Sequence, residues 1–174
     1  GEHHEVKTQL IGEYNFANAL AAVTIGHFFD VESGKIDTAL KEYTPQNNRS
    51  QLKQTADNTL IIDAYNANPT SMQASISNFH NMEIDNKMLI LGDMRELGKD
   101  GPKEHQKIVD FLTECGFKDV MLVGEQFAAA RHDFPTYPDA PAVIEALQKN
   151  KPHGKTILIK GSNGIKLSTV IDYL

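Results

Sequence analysis

From residue 47 to residue 174 the sequence predicts an α/β domain with a doubly wound, mostly parallel sheet. The first observation is a set of short, nearly continuous apolar runs, such as KMLILGD and VMLVG, which are typical of strands covered on both faces. The second is the alternation of these runs with segments of helical spacing, a pattern that predicts βαβ units. The third is the composition, 40% hydrophobic and 23% charged, which allows a buried core of useful size.

The predicted elements of this domain run from a hairpin into a series of strands and helices. A turn at Asp57-Asn58 joins the first two strands, and Pro69 begins the first helix after the loop DAYNAN. Each later apolar run is followed by a helical segment, as parallel pairing requires. The predicted strands cover residues 51–56, 59–65, 87–93, 120–124, 134–136 and 156–161, and the predicted helices cover residues 69–81, 102–115, 125–132, 141–150 and 165–174.

Residues 1–46 have a different pattern and predict the trailing end of another domain. The segment EVKTQLI alternates as a strand does, and helices are expected from Asn15 to Phe29 and from Ser33, the predicted N-cap, to Tyr43. One strand and two helices cannot bury both faces of a sheet, so we expect the larger part of that domain to lie outside this chain. The polar segment TPQNNRS is the predicted linker between the two units.

Charge and cysteine content exclude several classes of protein. The formal net charge of −6 argues against a general nucleic-acid-binding surface. Cys115 is the single cysteine, which excludes an internal disulfide and favours a buried, inert thiol in a cytoplasmic protein. No apolar run approaches the length of a membrane span and no signal peptide opens the chain, so we expect neither nucleic acid nor membrane as a partner.

Polar stretches follow four predicted strands at the sheet edge where ligands bind in open α/β folds. In the first stretch, Asp63 suits ribose hydroxyls or the water shell of a metal, and the asparagines suit a phosphate or a base. Asn68 is equally well explained as the N-cap of the next helix, and Asp63 as a turn residue. The four stretches are DAYNANP (63–69), GDMRELG (92–98), VGE (123–125) and KGSNG (160–164).

The second and fourth stretches leave similar alternatives open. Asp93 and Glu96 either belong to a site or are solvated, with Arg95 paired to one of them. Lys160 and Ser162 suit a carboxylate or phosphate near a helix N-terminus, although a single lysine at a strand end is more often exposed.

Five segments, taken in order, resemble the Mur ligase family over essentially the whole chain. DAYNANP combined with GDMRELG is specific for the branch that adds D-alanyl-D-alanine to a UDP-N-acetylmuramoyl-tripeptide. The segments are GEYNFANALAA (12–22), NRS (48–50), DAYNANPTSM (63–72), LGDMRELG (91–98) with the later EHQ (104–106), and KGSNG (160–164).

The resemblance implies an activity and a division into domains. Such ligases have a UDP-sugar domain, a central ATPase domain and a C-terminal Rossmann-like domain. ATP phosphorylates the carboxylate of the UDP-muramoyl tripeptide, and the amine of D-alanyl-D-alanine attacks the acyl phosphate, while Mg²⁺ shields phosphate charge. This chain is then expected to hold the end of the central domain, residues 1–46, and the whole C-terminal domain, residues 47–174, with the missing domains as its partners.

The resemblance also implies roles for individual residues. Asn15 and Asn18, one helical turn apart, are expected near adenine, Arg49 near the ATP phosphates and Asp63 near the ribose. The remaining assignments form two groups and include no metal ligand. Tyr65, Asn66 and Asn68 are expected to line the nucleotide site, whereas Asp93, Arg95 and Glu96 are expected at the domain-closure face and Lys160 and Ser162 near the incoming dipeptide.

Two departures from the family pattern limit these expectations. Tyr14 stands where the family often has histidine, so it receives no role. A Gly-rich phosphate loop, the ATPase lysines and the Mg²⁺ carboxylates are absent from the sequence, so we expect no turnover from this chain alone. A ligase of the folylpolyglutamate synthase kind, or another Mur-type amide ligase, and a non-catalytic Rossmann-like binding module are the alternatives.

Overall fold

Six strands and six α-helices make up the computed structural model, which describes residues 3–12, 15–46 and 48–174. Among the described residues, 3₁₀ segments also lie at Gly98–Asp100, Asn163–Ile165 and Leu167–Tyr173. The strands are β1 (Gln51–Gln54), β2 (Thr59–Asp63), β3 (Lys87–Gly92), β4 (Val120–Val123), β5 (Thr136–Tyr137) and β6 (Thr156–Lys160), and the helices are α1 (Phe16–Phe28), α2 (Ser33–Glu42), α3 (Pro69–Asn81), α4 (Gly101–Glu114), α5 (Glu125–Ala129) and α6 (Ala140–Lys149).

All six strands join in one sheet with the order β1-β2-β6-β3-β4-β5. Only β1 and β2 are antiparallel, as the predicted hairpin requires, and every other neighbouring pair is parallel. The last strand in sequence, β6, lies between β2 and β3, so the carboxyl ends of these three strands meet at one edge. The predicted doubly wound, mostly parallel sheet is confirmed.

Two apolar cores lie on opposite faces of the sheet and explain why its strands are apolar throughout. Leu60 and Ile62 of β2 pack in the core that α6 and the C-terminal 3₁₀ segment cover. Ile61, between them, packs in the other core, beneath α3 and α4. Successive side chains of a strand point to opposite faces, so covering both faces demands an unbroken apolar run.

Three predicted elements of the C-terminal domain are corrected. The helix predicted over 125–132 ends at Ala129, and Phe127 O accepts hydrogen bonds from Ala130 N and the His132 ring beyond that end. The strand expected at 134–136 lies at Thr136–Tyr137. The helix predicted over 165–174 is instead two 3₁₀ segments, because Lys166 has a left-handed backbone that interrupts helical bonding.

The N-terminal unit departs further from its prediction. The strand expected at EVKTQLI is wrong, although Val6, Thr8 and Leu10 are half-buried and Lys7 is exposed, as alternation predicted. A strand needs a neighbour for its backbone groups, and the described part of residues 3–12 joins no sheet. Ser33 is the first residue of α2 and not its N-cap, which is Glu32.

Helix α1 has the apolar residues that its spacing predicted, but it buries none of them. Phe16, Leu20, Ile25 and Phe28 are each more than half exposed. In the other helix of this unit, α2, Ile36 is the buried residue. Among the described residues, no helix is long and apolar enough to cross a membrane. Helix α1 therefore presents an open apolar face, in contrast to the two buried cores of the sheet.

Candidate functional site

A cleft of about 840 Å³ lies between the two N-terminal helices and the carboxyl ends of β2 and β6. Its volume is in the range of pockets that hold a cofactor or a small ligand. Two separate parts of the chain form its walls, which explains how residues far apart in sequence meet there. All seven residues predicted around a nucleotide line it, together with Lys160: Asn15, Asn18, Arg49, Asp63, Tyr65, Asn66 and Asn68.

Asn15 and Asn18 form the wall contributed by the start of α1. Asn15 Nδ2 donates to Ile11 O at 2.7 Å, and Asn18 Nδ2 donates to Asn15 Oδ1 at 3.1 Å. These bonds orient both amides on one face of the helix, as their spacing of three predicted. Glu13 and Tyr14, of the same motif, lie outside the described residues.

Asp63, in the opposite wall, accepts three hydrogen bonds. Its Oδ2 accepts from Lys160 Nζ at 2.5 Å and from Ser75 Oγ at 3.4 Å, while Oδ1 accepts from Ser50 N at 3.4 Å. The Lys160 side chain is only 2% exposed and that of Asp63 is 16% exposed. The expectation of an exposed lysine is therefore wrong, and Lys160 belongs to this cleft.

Arg49 lies over the ring of Tyr65, with 3.9 Å between the guanidinium carbon and the ring centroid. Arg49 precedes β1 and Tyr65 follows β2, so the antiparallel hairpin brings the two residues to the same edge. Asn48 and Ser50 flank Arg49 with positive φ angles of 58° and 45°, which are uncommon for residues other than glycine. This sharp turn directs Arg49 toward the cleft.

The loop between β2 and α3 is held by its own asparagines. Asn66 Oδ1 accepts from Ala67 N at 2.8 Å. Asn68 Oδ1 accepts from Ser71 N at 2.8 Å, and Ser71 Oγ accepts from Asn68 N at 3.2 Å, which completes a capping box. The interpretation of Asn68 as an N-cap is confirmed. Its amide nitrogen is then the group that a ligand in the cleft can contact.

The second predicted group does not form one cluster. Asp93 is 5% exposed, and its two oxygens accept from Gln126 N at 2.9 Å and Phe127 N at 3.0 Å at the start of α5. The alternative in which Asp93 is solvated is therefore wrong. Its carboxylate packs against Gly124, where a Cβ atom would lie 2.3 Å from it.

Arg95, Glu96 and Ser162 lie closer to the surface of this edge. Arg95 and Glu96 are exposed, whereas Ser162 is buried. Ser162 Oγ accepts from Arg95 N at 2.9 Å, so the loops after β3 and β6 are joined. Arg95 also lines a second cavity of about 400 Å³ with Asp93 and Gly124.

His105 is a structural residue of this edge that received no role from the sequence. It is fully buried, its Nε2 accepts from Met94 N at 3.0 Å and its Nδ1 lies 2.7 Å from Gly101 O. An acceptor at Nε2 and a carbonyl at Nδ1 define the neutral ring with its proton on Nδ1. The 3.5 Å approach of Nε2 to Asp93 Oδ1 is accordingly not an ion pair. In the sequence, the EHQ segment that follows GDMRELG was the signal that pointed to His105.

A comparison with known families shows to which protein family the chain belongs. The sequence model described as "Mur ligase, glutamate ligase domain" matches residues 48–163, well over half of the 174 residues. The chain belongs to the Mur ligase family. This match begins at the linker and ends in KGSNG, so it includes every predicted site residue except Asn15 and Asn18.

Individual Mur ligases support this membership. The UDP-N-acetylmuramoyl-tripeptide–D-alanyl-D-alanine ligase of Bacillus subtilis (strain 168) is 31% identical over 173 residues, which cover 93% of this chain and 38% of that relative. A crystal structure of MurF from Acinetobacter baumannii superposes with a TM-score of 0.84 at 28% identity, over 96% of this chain and 39% of that one. The predicted Rossmann-like fold of the family is thereby confirmed.

A more distant Mur ligase shows the same fold. The MurF ligase of Thermotoga maritima, solved in complex with ADP, has a TM-score of 0.78 at 17% identity, over 94% of this chain and 38% of that one. The chain spans about two fifths of the length of the relatives it matches.

Proposed function

We propose that this chain is the C-terminal part of a Mur ligase that uses ATP to join D-alanyl-D-alanine to a UDP-N-acetylmuramoyl-tripeptide, in the cytoplasm. The observation that carries the proposal is the cleft in which both units of the chain bring the predicted nucleotide residues together. The relatives that cover most of this chain bear the name of that ligase, and one of the structures was solved with ADP. The products are the amide, ADP and phosphate.

The chemistry of the cleft fits ATP. The fixed amides of Asn15 and Asn18 can donate to and accept from the edge of a base. Asp63 offers an acceptor for ribose hydroxyls, and the guanidinium of Arg49 suits a phosphate. In the proposed reaction these side chains orient the triphosphate, and charge stabilisation and positioning supply the acceleration.

The described residues do not fit a resident Mg²⁺ ion. They contain no group of three or more His, Cys, Asp or Glu side chains that could hold a metal. Asp63, the carboxylate of the cleft, is occupied by the cation of Lys160. Any Mg²⁺ that accompanies ATP is therefore proposed to take its protein ligands from outside this chain.

We propose that residues 1–46 belong to the central ATP-binding domain and residues 47–174 form the C-terminal domain. The exposed apolar face of α1, with Phe16, Leu20 and Phe28, supports this division, since a helix with no buried residue lacks the packing that stabilises it. The length of the relatives supports it as well. Covering these three side chains with the rest of the central domain would bury apolar area and stabilise that domain.

The acceptor amine is proposed to enter at the edge formed by the loops after β3 and β6. The contact between Arg95 N and Ser162 Oγ supports a shared role for these loops. Exposed Arg95 offers a cation for the carboxylate of the dipeptide, and Glu96 is available at the face that meets the central domain. Asp93 contributes by accepting hydrogen bonds at the start of α5, and not by direct contact with the dipeptide.

The decisive experiment uses the full-length protein encoded by the gene that contains this sequence. ADP release should require both the UDP-muramoyl tripeptide and D-alanyl-D-alanine, whereas the 174-residue chain should give no turnover and at best weak nucleotide binding. Selective use of another amine acceptor, such as glutamate, would favour the folylpolyglutamate synthase-like alternative. ATP-independent binding without turnover by the full-length protein would favour the binding module.

Arg49→Ala in the full-length protein tests the site itself. Loss of a charged hydrogen bond to phosphate should lower kcat/KM by about 10- to 100-fold. The matched control is Arg131→Ala, because Arg131 is exposed and does not line the cleft. Equal kinetics of the two variants would remove Arg49 from the site.

A further inference from the structure

Lys160 is a buried lysine that the resemblance to the family places near the incoming dipeptide, but its contacts in the structure are with the predicted nucleotide site. Its side chain is 2% exposed, and yet it lines the large cleft. A buried ammonium group needs partners, and its partners here are Asp63 Oδ2 at 2.5 Å and Asn66 O at 3.4 Å. Both partners belong to the DAYNANP stretch predicted to meet the nucleotide, so Lys160 is tied to that stretch from the neighbouring strand β6.

The register of the sheet determines this pair. Asp63 ends β2, Lys160 ends β6, and the two are direct partners in the parallel ladder. Partners in adjacent strands place their side chains on the same face, so the carboxylate and the ammonium group meet without any loop adjustment. The pair links segments 97 residues apart in sequence.

The pair also determines which oxygen of Asp63 faces a ligand. Oδ2 accepts from both Lys160 Nζ and Ser75 Oγ. Oδ1 lies on the side of Ser50, whose backbone N–H approaches it at the longer distance of 3.4 Å. Because two donors hold Oδ2, the plane of the carboxylate is fixed, and Oδ1, with one long hydrogen bond from Ser50 N, keeps acceptor capacity for a ligand in the cleft that Asp63 lines. A ribose hydroxyl requires an oriented acceptor of this kind.

We propose that Lys160 is a positioning residue: it holds the carboxylate of Asp63 so that one oxygen accepts from a ribose hydroxyl of the nucleotide. This inference rests on the proposed nucleotide site. It differs from a direct role of Lys160 on phosphate, because the hydrogen bonds of the ammonium group are to Asp63 and Asn66. It also explains why the carboxylate of the cleft is unsuited to a divalent cation, which the neighbouring ammonium charge would repel.

The two roles predict different kinetics. A positioning role concerns the ribose, so its loss should weaken the discrimination between ATP and an analogue that lacks one ribose hydroxyl. A phosphate role concerns a group that ATP and its deoxy analogues share, so its loss should impair all of them equally.

The test measures KM and kcat of the full-length protein with ATP, 2′-deoxyATP and 3′-deoxyATP. The wild-type protein should prefer ATP over at least one analogue by about tenfold in kcat/KM, the value of one good hydrogen bond. Lys160→Met should reduce that preference to about twofold, mainly by raising KM for ATP. Lys160→Arg, which keeps the charge, should restore part of it.

A second pair of variants covers the case in which Lys160→Met fails to fold, since it leaves the Asp63 charge unpaired. Asp63→Ala, which removes both oxygens, should abolish the preference for ATP, and adding Lys160→Met to it should change neither that preference nor kcat/KM with ATP, because Lys160 acts through Asp63. A further fall in kcat/KM with ATP in the double variant, or an unchanged ATP preference in Lys160→Met, would overturn the inference. Absence of ATP-dependent turnover in the wild-type protein would instead refute the proposed function.

Discussion

Replacing Gly124 by alanine should destabilise the chain far more than replacing another glycine of positive φ. Gly124 has φ 121°, and a Cβ atom there would lie 2.3 Å from the carboxyl group of Asp93. Gly154 has φ 63°, and a Cβ atom there would meet nothing within 4 Å. Both variants carry backbone strain, but only Gly124→Ala also collides with a buried side chain. Gly154→Ala is therefore the matched control.

The magnitude follows from what the collision displaces. Backbone strain for alanine costs about 1–2 kcal/mol at Gly154 and about 1–3 kcal/mol at Gly124, whose φ of 121° and ψ of 168° are essentially restricted to glycine. At Gly124 the carboxylate of Asp93 must also leave the N–H groups of Gln126 and Phe127. Hydrogen bonds to a charged group contribute about 1.5–3 kcal/mol each. We expect a loss of about 4 kcal/mol or more for Gly124→Ala and about 1–2 kcal/mol for Gly154→Ala.

Urea unfolding of the 174-residue chain, followed by circular dichroism, measures both losses. A double-mutant cycle with Asp93→Ala isolates the collision, since Gly124→Ala should add only backbone strain once the carboxylate is gone. Equal losses for the two glycine variants, within about 1 kcal/mol, would refute the argument that the Asp93 carboxylate fills the space beside Gly124.

Three further predictions concern the cap, the pH dependence and the thiol. Asn68→Ala should lower the free energy of unfolding by about 1 kcal/mol through loss of the α3 cap, measured by urea unfolding; no change would contradict the capping role. The hydrogen bond from Lys151, and to a smaller extent that from His153, holds the pKa of Asp57 below its ordinary value of 3.8. The ionised Asp57 carboxylate therefore stabilises the fold above about pH 3.8, and this stabilisation disappears as the pH falls through the pKa of the folded state. Asp57→Asn should remove this part of the acid dependence of the urea midpoint. Burial, and then the charge of Glu114, raises the pKa of the Cys115 thiol, so iodoacetamide should alkylate it more slowly in the folded chain than in urea; equal rates would contradict this.

Much of the fold was predictable because local physics determines it. Apolar runs covered on both faces identified β3, β4 and β6, and the helix start at Pro69 agrees with the structure to the residue. The strand prediction was wrong where it depended on a neighbouring strand: EVKTQLI has the alternation of a strand but joins no sheet. The C-terminal helix was wrong because a left-handed Lys166 interrupts it, a conformation that the apolar spacing does not reveal.

The sequence by itself determined the family, the position of the candidate cleft at the carboxyl ends of the strands, and the Asn68 cap, because motifs and caps depend on residues close together in the chain. Tertiary structure alone decided which charged groups are buried. The sequence left solvent exposure open as an alternative for Lys160 and Asp93, but strand order and register carry Lys160 to Asp63, and the position of α5 gives Asp93 two N–H donors. A charge is buried only where its partners surround it, and those partners are up to 97 residues away.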